Sequence, residues 1–145
     1  MKIVITQSNN DLENLKTLAE ECLDNYTLSI EKIVDRSKKP NFTLLFAIAG
    51  KTKTGFIAGY EENGKMHIWL FGVKKDARKQ GIGTKLLKEF ESIAAKKGQK
   101  FVNTITFNKY REKIILSLKN GYRIIECKHV PEKMDNAIIL EKEID

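Results

Sequence analysis

Residues 66–98 constrain the fold of this chain more than any other stretch, because they join a hydrophobic strand to an amphipathic helix. Residues 66–73 are apolar and rich in β-forming side chains, and apolar residues then recur at helical spacing until Gly98 ends the pattern. The junction reads Arg78-Lys79-Gln80-Gly81-Ile82-Gly83-Thr84. Two glycines at the start of a helix leave backbone N–H groups unpaired and uncovered, while the helix end and the basic side chains add positive charge. This arrangement predicts a binding site for a phosphate or pyrophosphate group.

The spacing of the two glycines separates the known phosphate-binding loops from one another. A P-loop needs Gly-x-x-x-x-Gly-Lys-Ser/Thr, which the sequence lacks, and a dinucleotide fingerprint needs a third glycine where Lys85 and Leu86 stand. The pattern present is Arg/Gln-x-x-Gly-x-Gly/Ala after a long strand. It resembles the acetyl-CoA-binding motif of the GNAT superfamily of acyl-CoA-dependent N-acyltransferases. The alternative is a plain strand-to-helix turn without a ligand.

Length and composition bound the class of protein. With 145 residues the chain can bury a core without a metal or a disulfide, and we expect one domain over residues 1–145. No run approaches the roughly 18 apolar residues of a membrane span, and the first residues are typical of a strand rather than a signal peptide. Cys22 and Cys127 are isolated, and the chain has only two histidines. We therefore expect free thiols, no metal, no membrane association and a cytoplasmic location.

Positive charge is concentrated around the glycine-containing junction. The net charge of the chain is +7, and residues 74–125 contain 14 Lys/Arg against 4 Asp/Glu, a balance of +10. Such a field attracts a polyanion, either CoA with its phosphates or a nucleic acid, and solvated helix faces are the simpler interpretation. Aromatic residues are few in this segment and are not interleaved with the basic ones, unlike in single-strand-binding surfaces. The composition therefore favours CoA over nucleic acid.

Hydrophobic periodicity predicts the order β-α-α-β-β-β-α-β-α-β-β, which is the order of the GNAT fold. We expect a mixed α/β structure with mostly antiparallel N-terminal strands and a splayed parallel pair flanking the CoA-binding helix. Asn10 and Glu13 predict an N-cap for the first helix, and Asn63-Gly64 predicts a hairpin turn. The strands are expected at about 2–7, 42–49, 55–60, 65–73, 101–107, 122–128 and 137–144, and the helices at about 11–24, 27–37, 82–97 and from 109 to Asn120-Gly121.

The resemblance implies where the cofactor lies. In the family, the strand before the glycine loop bulges and parts from the next strand, and the pantetheine arm of acetyl-CoA lies in the gap. Phe71, Gly72 and Val73 occupy that part of the strand, and a glycine inside a strand often marks a bulge or a close backbone approach. The alternative for Gly72 is packing against a helix. Residues 78–84 would then bind the diphosphate.

The resemblance also implies direct transfer of an acetyl group to an amine. The attacking amine must lose a proton, because an alkylammonium has a pKa of about 10, so the reaction needs a base or a water-linked path to one. His67 occupies the place where histone acetyltransferases of this superfamily carry a catalytic Glu. Its ordinary pKa of about 6.5 suits proton acceptance at neutral pH. Glu61 and Glu62 are the other candidates for the base, and packing at a strand end is the simpler interpretation of His67.

The proton donor to the leaving thiolate departs from the family pattern. Many members carry Asn-x-x-Ala-x-x-x-Tyr-x-Lys-x-Gly-Phe, in which the Tyr protonates CoA. Aligned on Gly121, the Tyr position is Ser117 and the Asn position is Tyr110. Because a serine hydroxyl is a poor acid, either Ser117 binds the sulfur without protonating it, or Tyr110 or water replaces the Tyr. Asn108 either contacts CoA or caps the following helix.

The acceptor site is expected opposite the CoA side, from residues 23–41 and the loop 130–136. Trp69 is expected to share a face of its strand with His67 and Phe71, and aromatic residues at that spacing are more often core than substrate wall. Four side chains could attract a cationic amine: Asp24, Tyr26, Glu31 and Asp35.

Three functions remain open on the sequence. The first is a cytoplasmic N-acetyltransferase that moves an acetyl group from acetyl-CoA to a primary amine on a small molecule or a protein, with monomer and homodimer both open. The second is a catalytically silent CoA-binding or sensory domain, because Ser117 replaces the Tyr. The third is a basic module associated with RNA or the ribosome, because of the charge of residues 74–125.

Overall fold

The computed structural model of the protein describes residues 2–23 and 27–144. Within these residues the predicted order of helices and strands is confirmed, with 3₁₀ turns added at Lys75–Ala77 and Pro131–Lys133. The strands are β1 (Ile3–Gln7), β2 (Thr43–Ala49), β3 (Thr52–Glu62), β4 (Lys65–Val73), β5 (Phe101–Phe107), β6 (Arg123–Val130) and β7 (Asp135–Glu143). The helices are α1 (Leu12–Cys22), α2 (Ile30–Ser37), α3 (Ile82–Lys96) and α4 (Arg111–Lys119).

The strands form one seven-stranded sheet in the order β1-β2-β3-β4-β5-β7-β6. Among the described strands, β4 and β5 are the one parallel pair, and the other neighbours are antiparallel. A parallel pair needs a crossover, and α3 provides it, since it runs between the end of β4 and the start of β5. The predicted mixed sheet is therefore confirmed.

The two faces of the sheet bury different cores. On one face, α3 packs its apolar side against β1, β2, β3 and β4 through a cluster that includes Leu86, Phe90 and Ile68, which we call the α3 core. On the other face, α1 and α2 pack against β2 and β3 through a cluster that includes Leu15, Ile33 and Phe46. Alternation of side chains along each strand supplies both cores.

Two local predictions can be compared directly with the structure. The Asn63-Gly64 hairpin is confirmed, because both residues have positive φ and Glu62 pairs with Lys65 across a two-residue loop. The N-cap of α1 was expected at Asn10 but lies at Asp11, whose carboxylate accepts a hydrogen bond from the backbone N–H of Asn14. Asp11 serves this role because its side chain reaches the third residue of the helix.

A β-bulge interrupts β4 at Trp69. Ala58 pairs with Leu70 and Gly59 pairs with Ile68, so Trp69 has no partner on β3. The bulge was expected around Gly72, but Gly72 pairs regularly with Phe56. A Cβ on Gly72 would come within 3.1 Å of Cys22 Cβ in α1, so this glycine serves helix packing, which was the alternative.

The bulge also reverses the side chains that follow it. Ile68 and Phe71 both contribute to the α3 core, whereas Leu70 and Trp69 pack with the α1 and α2 core. The expectation that Phe71 shares a face with His67 and Trp69 was therefore wrong, because it assumed an unbroken alternation. Within the described residues, no helix is both long and apolar enough to cross a membrane.

Candidate active site

A gap opens between β4 and β5 one residue after His67. The two strands pair only at Met66, His67 and Ile68, opposite residues 102–104, although β4 continues to Val73 and β5 to Phe107. The bulge at Trp69 follows the last pair directly, and a bulge bends its strand and increases its twist. The predicted splayed pair is confirmed, with the bend earlier in β4 than expected.

Backbone groups of β4 face this gap. Lys74 donates its N–H to the carbonyl of Thr54 on β3, and hydrogen-bonded residues alternate along an antiparallel pair. The backbone of Gly72 therefore bonds to β3, whereas the backbone groups of Phe71 and Val73 point away from β3 toward the gap. The carbonyl of Val73 accepts a hydrogen bond of 3.0 Å from Arg78 Nε. The gap is thus lined by main-chain donors and acceptors.

The junction between β4 and α3 leaves its backbone N–H groups open. Within the described residues, none of the N–H groups of residues 78–84 donates a hydrogen bond to the protein, and the series resumes at Lys85, which bonds to the carbonyl of Gly81. Four such orphan donors are normal at a helix start, and the turn before α3 extends the row. Such a row of donors at a helix N-terminus can bind a phosphate.

The glycines shape this row of donors. Gly81 caps α3 with φ of 79°, and a Cβ on it would meet nothing within 4 Å, so its outer side is open. A Cβ on Gly83 would come within 3.0 Å of Leu116 Cδ2 in α4, so this glycine lets α4 approach. Lys79 also has a positive φ, of 66°. Backbone strain of this kind tends to occur at functional sites.

His67 lies at the closed end of the gap, where β4 still pairs with β5. Its Nδ1 lies 2.7 Å from Oδ1 of Asn103, the residue paired with it on β5. Because an amide oxygen can only accept, Nδ1 holds the proton, and Nε2 is left with a free lone pair. Within the described residues, Nε2 makes no hydrogen bond to protein. Burial lowers the pKa of His67 below its ordinary 6.5, so the ring is neutral at pH 7.

A basic and aromatic cluster adjoins His67 on the α2 side. The ring of Tyr60 lies 5.7 Å from that of His67, and the Arg36 side chain donates a hydrogen bond to Tyr60. The guanidinium of Arg36 lies 5.3 Å from the centre of the Trp69 ring. Glu31 and Asp35 lie exposed on the same helix, whereas Asp24 and Tyr26 fall outside the described residues.

Helix α4 brings the predicted proton-donor candidates to different places. Ser117 is buried, and Tyr110 lies exposed at the N-cap of α4, with its ring against the Lys109 ammonium. Asn108 was a candidate cap for this helix, but Tyr110 holds that position, so this alternative is wrong. The Asn108 side chain bonds to no other described residue. Its surface remains open to a ligand.

The sequence pattern of the acetyltransferase (GNAT) family matches residues 10–114. The chain belongs to the GNAT acetyltransferase family. It is therefore an acyl-CoA-dependent N-acyltransferase, as predicted. No curated protein sequence matches it.

Solved structures share this fold at low identity. The ribosomal-protein-S18-alanine N-acetyltransferase of Escherichia coli superposes with a TM-score of 0.86 at 14% identity, over 99% of this chain and 95% of that one. An IAA acetyltransferase of Bacillus cereus gives 0.80 at 20% identity, covering 99% and 100%. A GNAT acetyltransferase of Elizabethkingia anophelis with acetyl-CoA bound gives 0.78 at 22% identity, covering 98% of each. The last of these shows that this fold can hold acetyl-CoA.

Sequence reasoning missed two residues that the structure places beside His67. Asn103 orients the His67 ring, and Arg36 lies against Tyr60 and Trp69 next to it. A signal existed for Asn103, since a polar side chain in a strand next to a buried parallel pair needs a partner. No signal existed for Arg36, because it sits on a helix among other charged residues.

Proposed function

We propose that this protein moves an acetyl group from acetyl-CoA to a primary amine by direct attack of the amine on the thioester. One observation supports this most strongly: the open N–H groups of residues 78–84, the backbone groups of Phe71 and Val73 that face away from β3, and the ring of His67 follow one another along the same gap. A diphosphate, a pantetheine arm and a thioester follow one another in the same order in acetyl-CoA.

The loop would hold the coenzyme by its diphosphate. The backbone N–H groups of residues 78–84 and the ammonium of Lys79 would contact the phosphate oxygens, and hydrogen bonds to charged groups are worth about 1.5–3 kcal/mol each. The backbone of Phe71 and Val73 would bond to the amides of the pantetheine arm. An N–H there that faces the thioester oxygen would stabilise the developing oxyanion by about 3–4 kcal/mol.

His67 would accept the proton of the acceptor amine. Nε2 is the free lone pair, because Nδ1 donates to Asn103, and burial keeps the ring neutral at pH 7. The proton leaves the amine as the new C–N bond forms, either directly or through one water. Glu61 is the weaker candidate, since its carboxylate already accepts hydrogen bonds from Asn41 and Gln99.

Arg36 favours an acceptor that bears a negative charge near its amine. The guanidinium forms no ion pair with a described carboxylate and stacks on Trp69, beside His67. A planar cation with unused N–H donors is suited to a carboxylate or phosphate. Glu31 and Asp35 are exposed on α2 and are the alternative candidates for attracting a cationic acceptor.

Calorimetry and a transfer assay test this function in two steps. Acetyl-CoA should bind to the protein, and CoA release should then depend on an added amine, with amines that carry a carboxylate preferred over simple alkylamines. Binding without transfer to any amine would instead support the silent CoA-binding domain. RNA binding that CoA does not displace, with a steep salt dependence, would support the nucleic-acid module.

A further inference from the structure

Strand β6 forms one edge of the sheet and contributes no side chain to a core. Seven of its eight residues are exposed, and within the described residues none of the eight belongs to either hydrophobic cluster. The strand at the opposite edge, β1, is shorter and packs Ile3 and Ile5 against the α3 core. Proteins usually keep an edge strand short or cover it. Strand β6 is therefore the open edge of this sheet.

Exposed apolar residues are concentrated around this edge. Of the nine large apolar side chains that are exposed among the described residues, seven lie between residues 105 and 134. Ile124 and Ile125 belong to β6 itself and are each about half exposed. Ile105 lies in the same row of the sheet, because it pairs with Ile139, which pairs with Glu126. An apolar surface beside an open strand is typical of an interaction site.

The backbone of residues 127 and 129 faces away from the sheet. On β7, the carbonyl of Asn136 accepts a hydrogen bond of 2.9 Å from the N–H of Asn108, which follows β5. The N–H and C=O of one residue point to the same side of an antiparallel strand, so the backbone of Asn136 points toward β5. The backbone of its partner His129 then points away from β7, and alternation gives Cys127 the same direction. Each of these two residues offers a donor and an acceptor to a further strand.

A second copy of this chain fits the edge in one register. Two copies of a strand pair antiparallel about a two-fold axis, and three registers bring the outward groups of residues 127 and 129 together. With Lys128 on the axis, two like charges lie directly opposite each other, which is destabilising. With His129 on the axis, the pairing stops at Pro131, which has no N–H and begins a 3₁₀ turn. The register that remains has Cys127 on the axis.

Charge favours the register centred on Cys127. In this register, Glu126 of each copy lies opposite Lys128 of the other copy. Within one copy, Lys128 Nζ lies 3.6 Å from Glu126 Oε2, and both side chains are more than half exposed, so they share a face of the strand. Pairing joins these four charges into one network of alternating sign, and opposite charges across a strand pair are stabilising. The regular part of β6, after the bulge at Ile125, supplies these pairs.

We propose that β6 is the contact strand of a symmetric homodimer, in which two copies pair antiparallel with Cys127 on the two-fold axis. The two seven-stranded sheets then form one continuous sheet, and the open edge disappears. The apolar rows that include Ile105 meet on the same face of this sheet. The dimer is independent of the proposed acetyl transfer, since β5 and β7 separate β6 from β4.

Sedimentation equilibrium of charge-reversal variants tests the interface. With rising concentration, the mass of the wild type should increase from 16.6 kDa to twice that value. Glu126→Lys and Lys128→Glu should each raise the dissociation constant of the dimer by about tenfold or more, because each creates two pairs of like charges. The double variant Glu126→Lys/Lys128→Glu restores the alternation of charge and should dimerise like the wild type. Lys97→Glu, at the exposed C-cap of α3, should also match the wild type.

Cross-linking of thiols tests the register. Dibromobimane becomes fluorescent when it joins two neighbouring thiols, and paired residues of hydrogen-bonded strands have Cα atoms about 5.5 Å apart. The reagent should therefore join Cys127 of two copies, whereas Cys22 is buried. Cys127→Ser should abolish the cross-link. In Cys127→Ser/His129→Cys, the two new thiols lie four residues apart along the paired strands, about 13 Å, so no fluorescent dimer should form.

Three results would overturn the proposal. The first is a wild type that keeps the mass of one copy at every concentration. The second is a dimer whose dissociation constant is the same in the wild type and in Glu126→Lys, because the contact would then lie on another surface. The third is cross-linking through residue 129 and none through Cys127. Recovery of the dimer in the double variant excludes misfolding as the cause of the losses in the single variants.

Discussion

The two ends of helix α3 differ in whether their polar groups have hydrogen-bond partners. At its start, the N–H groups of residues 78–84 have no partner within the described protein. In its second half, both oxygens of Glu91 are bonded, one to the Tyr122 hydroxyl at 2.7 Å and the other to Lys142 Nζ at 2.9 Å. A buried polar group without a partner is costly, so groups that serve only the fold are paired internally. The end that stays unpaired lies at the surface, where water or a ligand can bond to it.

His67 lies where the pairing of β4 and β5 ends and the gap begins. The other histidine of the chain, His129, is its matched control. His67 and His129 each bond through Nδ1 to an asparagine oxygen, at 2.7 and 3.0 Å, but His129 is exposed on β6. His67→Gln should lower kcat/KM by about 100-fold or more, because it removes the base. His129→Gln should leave kcat/KM unchanged.

The pH profile sharpens this test. Since burial lowers the pKa of His67 below 6.5, the ring is already unprotonated at neutral pH. The kcat/KM of the wild type should therefore be level near neutrality and fall only when the pH drops through that lowered pKa. A His67→Gln enzyme that keeps this acidic limb would show that another group is the base.

Gly81 and Gly98 compare the two ends of α3 directly. Both have a positive φ, of 79° and 82°, and a Cβ on either would meet nothing within 4 Å. An alanine at either position should cost about 1–2 kcal/mol of unfolding free energy, because of the left-handed backbone. Gly81→Ala alone should also weaken acetyl-CoA binding by about tenfold or more, because its methyl group stands where the phosphate approaches. Equal affinities of the two variants in calorimetry would place the diphosphate elsewhere.

Tyr122→Phe probes the second half of α3, where the polar groups of Glu91 are paired. Removing the hydroxyl leaves one oxygen of Glu91 without its partner, so the unfolding free energy in urea should fall by about 1–3 kcal/mol. Tyr110→Phe, at an exposed position, should leave it unchanged. The affinity of Tyr122→Phe for acetyl-CoA should equal that of the wild type. A loss of affinity would show that the two ends of α3 are coupled.

Substitutions of exposed lysines should have the smallest effect on the affinity for acetyl-CoA. Lys79 and Lys97 are exposed lysines before and after α3. Lys79→Met should weaken acetyl-CoA binding by up to about fivefold, which corresponds to the roughly 1 kcal/mol of an exposed ion pair. The difference should shrink as salt is added. Lys97→Met should leave this affinity unchanged at any salt concentration. An equal loss of affinity in Lys97→Met would mean that Lys79 acts only through the overall positive field of the protein.

Most of the fold could be predicted because its local signals agree with one another. The Asn63-Gly64 turn fixes the β3–β4 hairpin, and Gly98 and Gly121 end α3 and α4 with positive φ. The bulge at Trp69 could not be predicted, because an inserted residue leaves a run of apolar residues still apolar. Its position depends on close packing at Gly59, where a Cβ would come within 2.2 Å of the His67 carbonyl oxygen.

The candidate site was only partly predictable. The loop 78–84 could be located, since glycine spacing, a preceding strand and a following helix all lie within one stretch of sequence. The roles of Asn103 and Arg36 depend on contacts between distant segments, which periodicity does not report.

The extra residue in β4 opens the gap between β4 and β5 without disturbing either core of the sheet. Ile68, Leu70 and Phe71 belong to alternate cores, so a deletion of the single codon for Trp69 would leave these three in correct phase. The shortened strand would run straight beside β5 and pair with it beyond Ile68, which would close the gap.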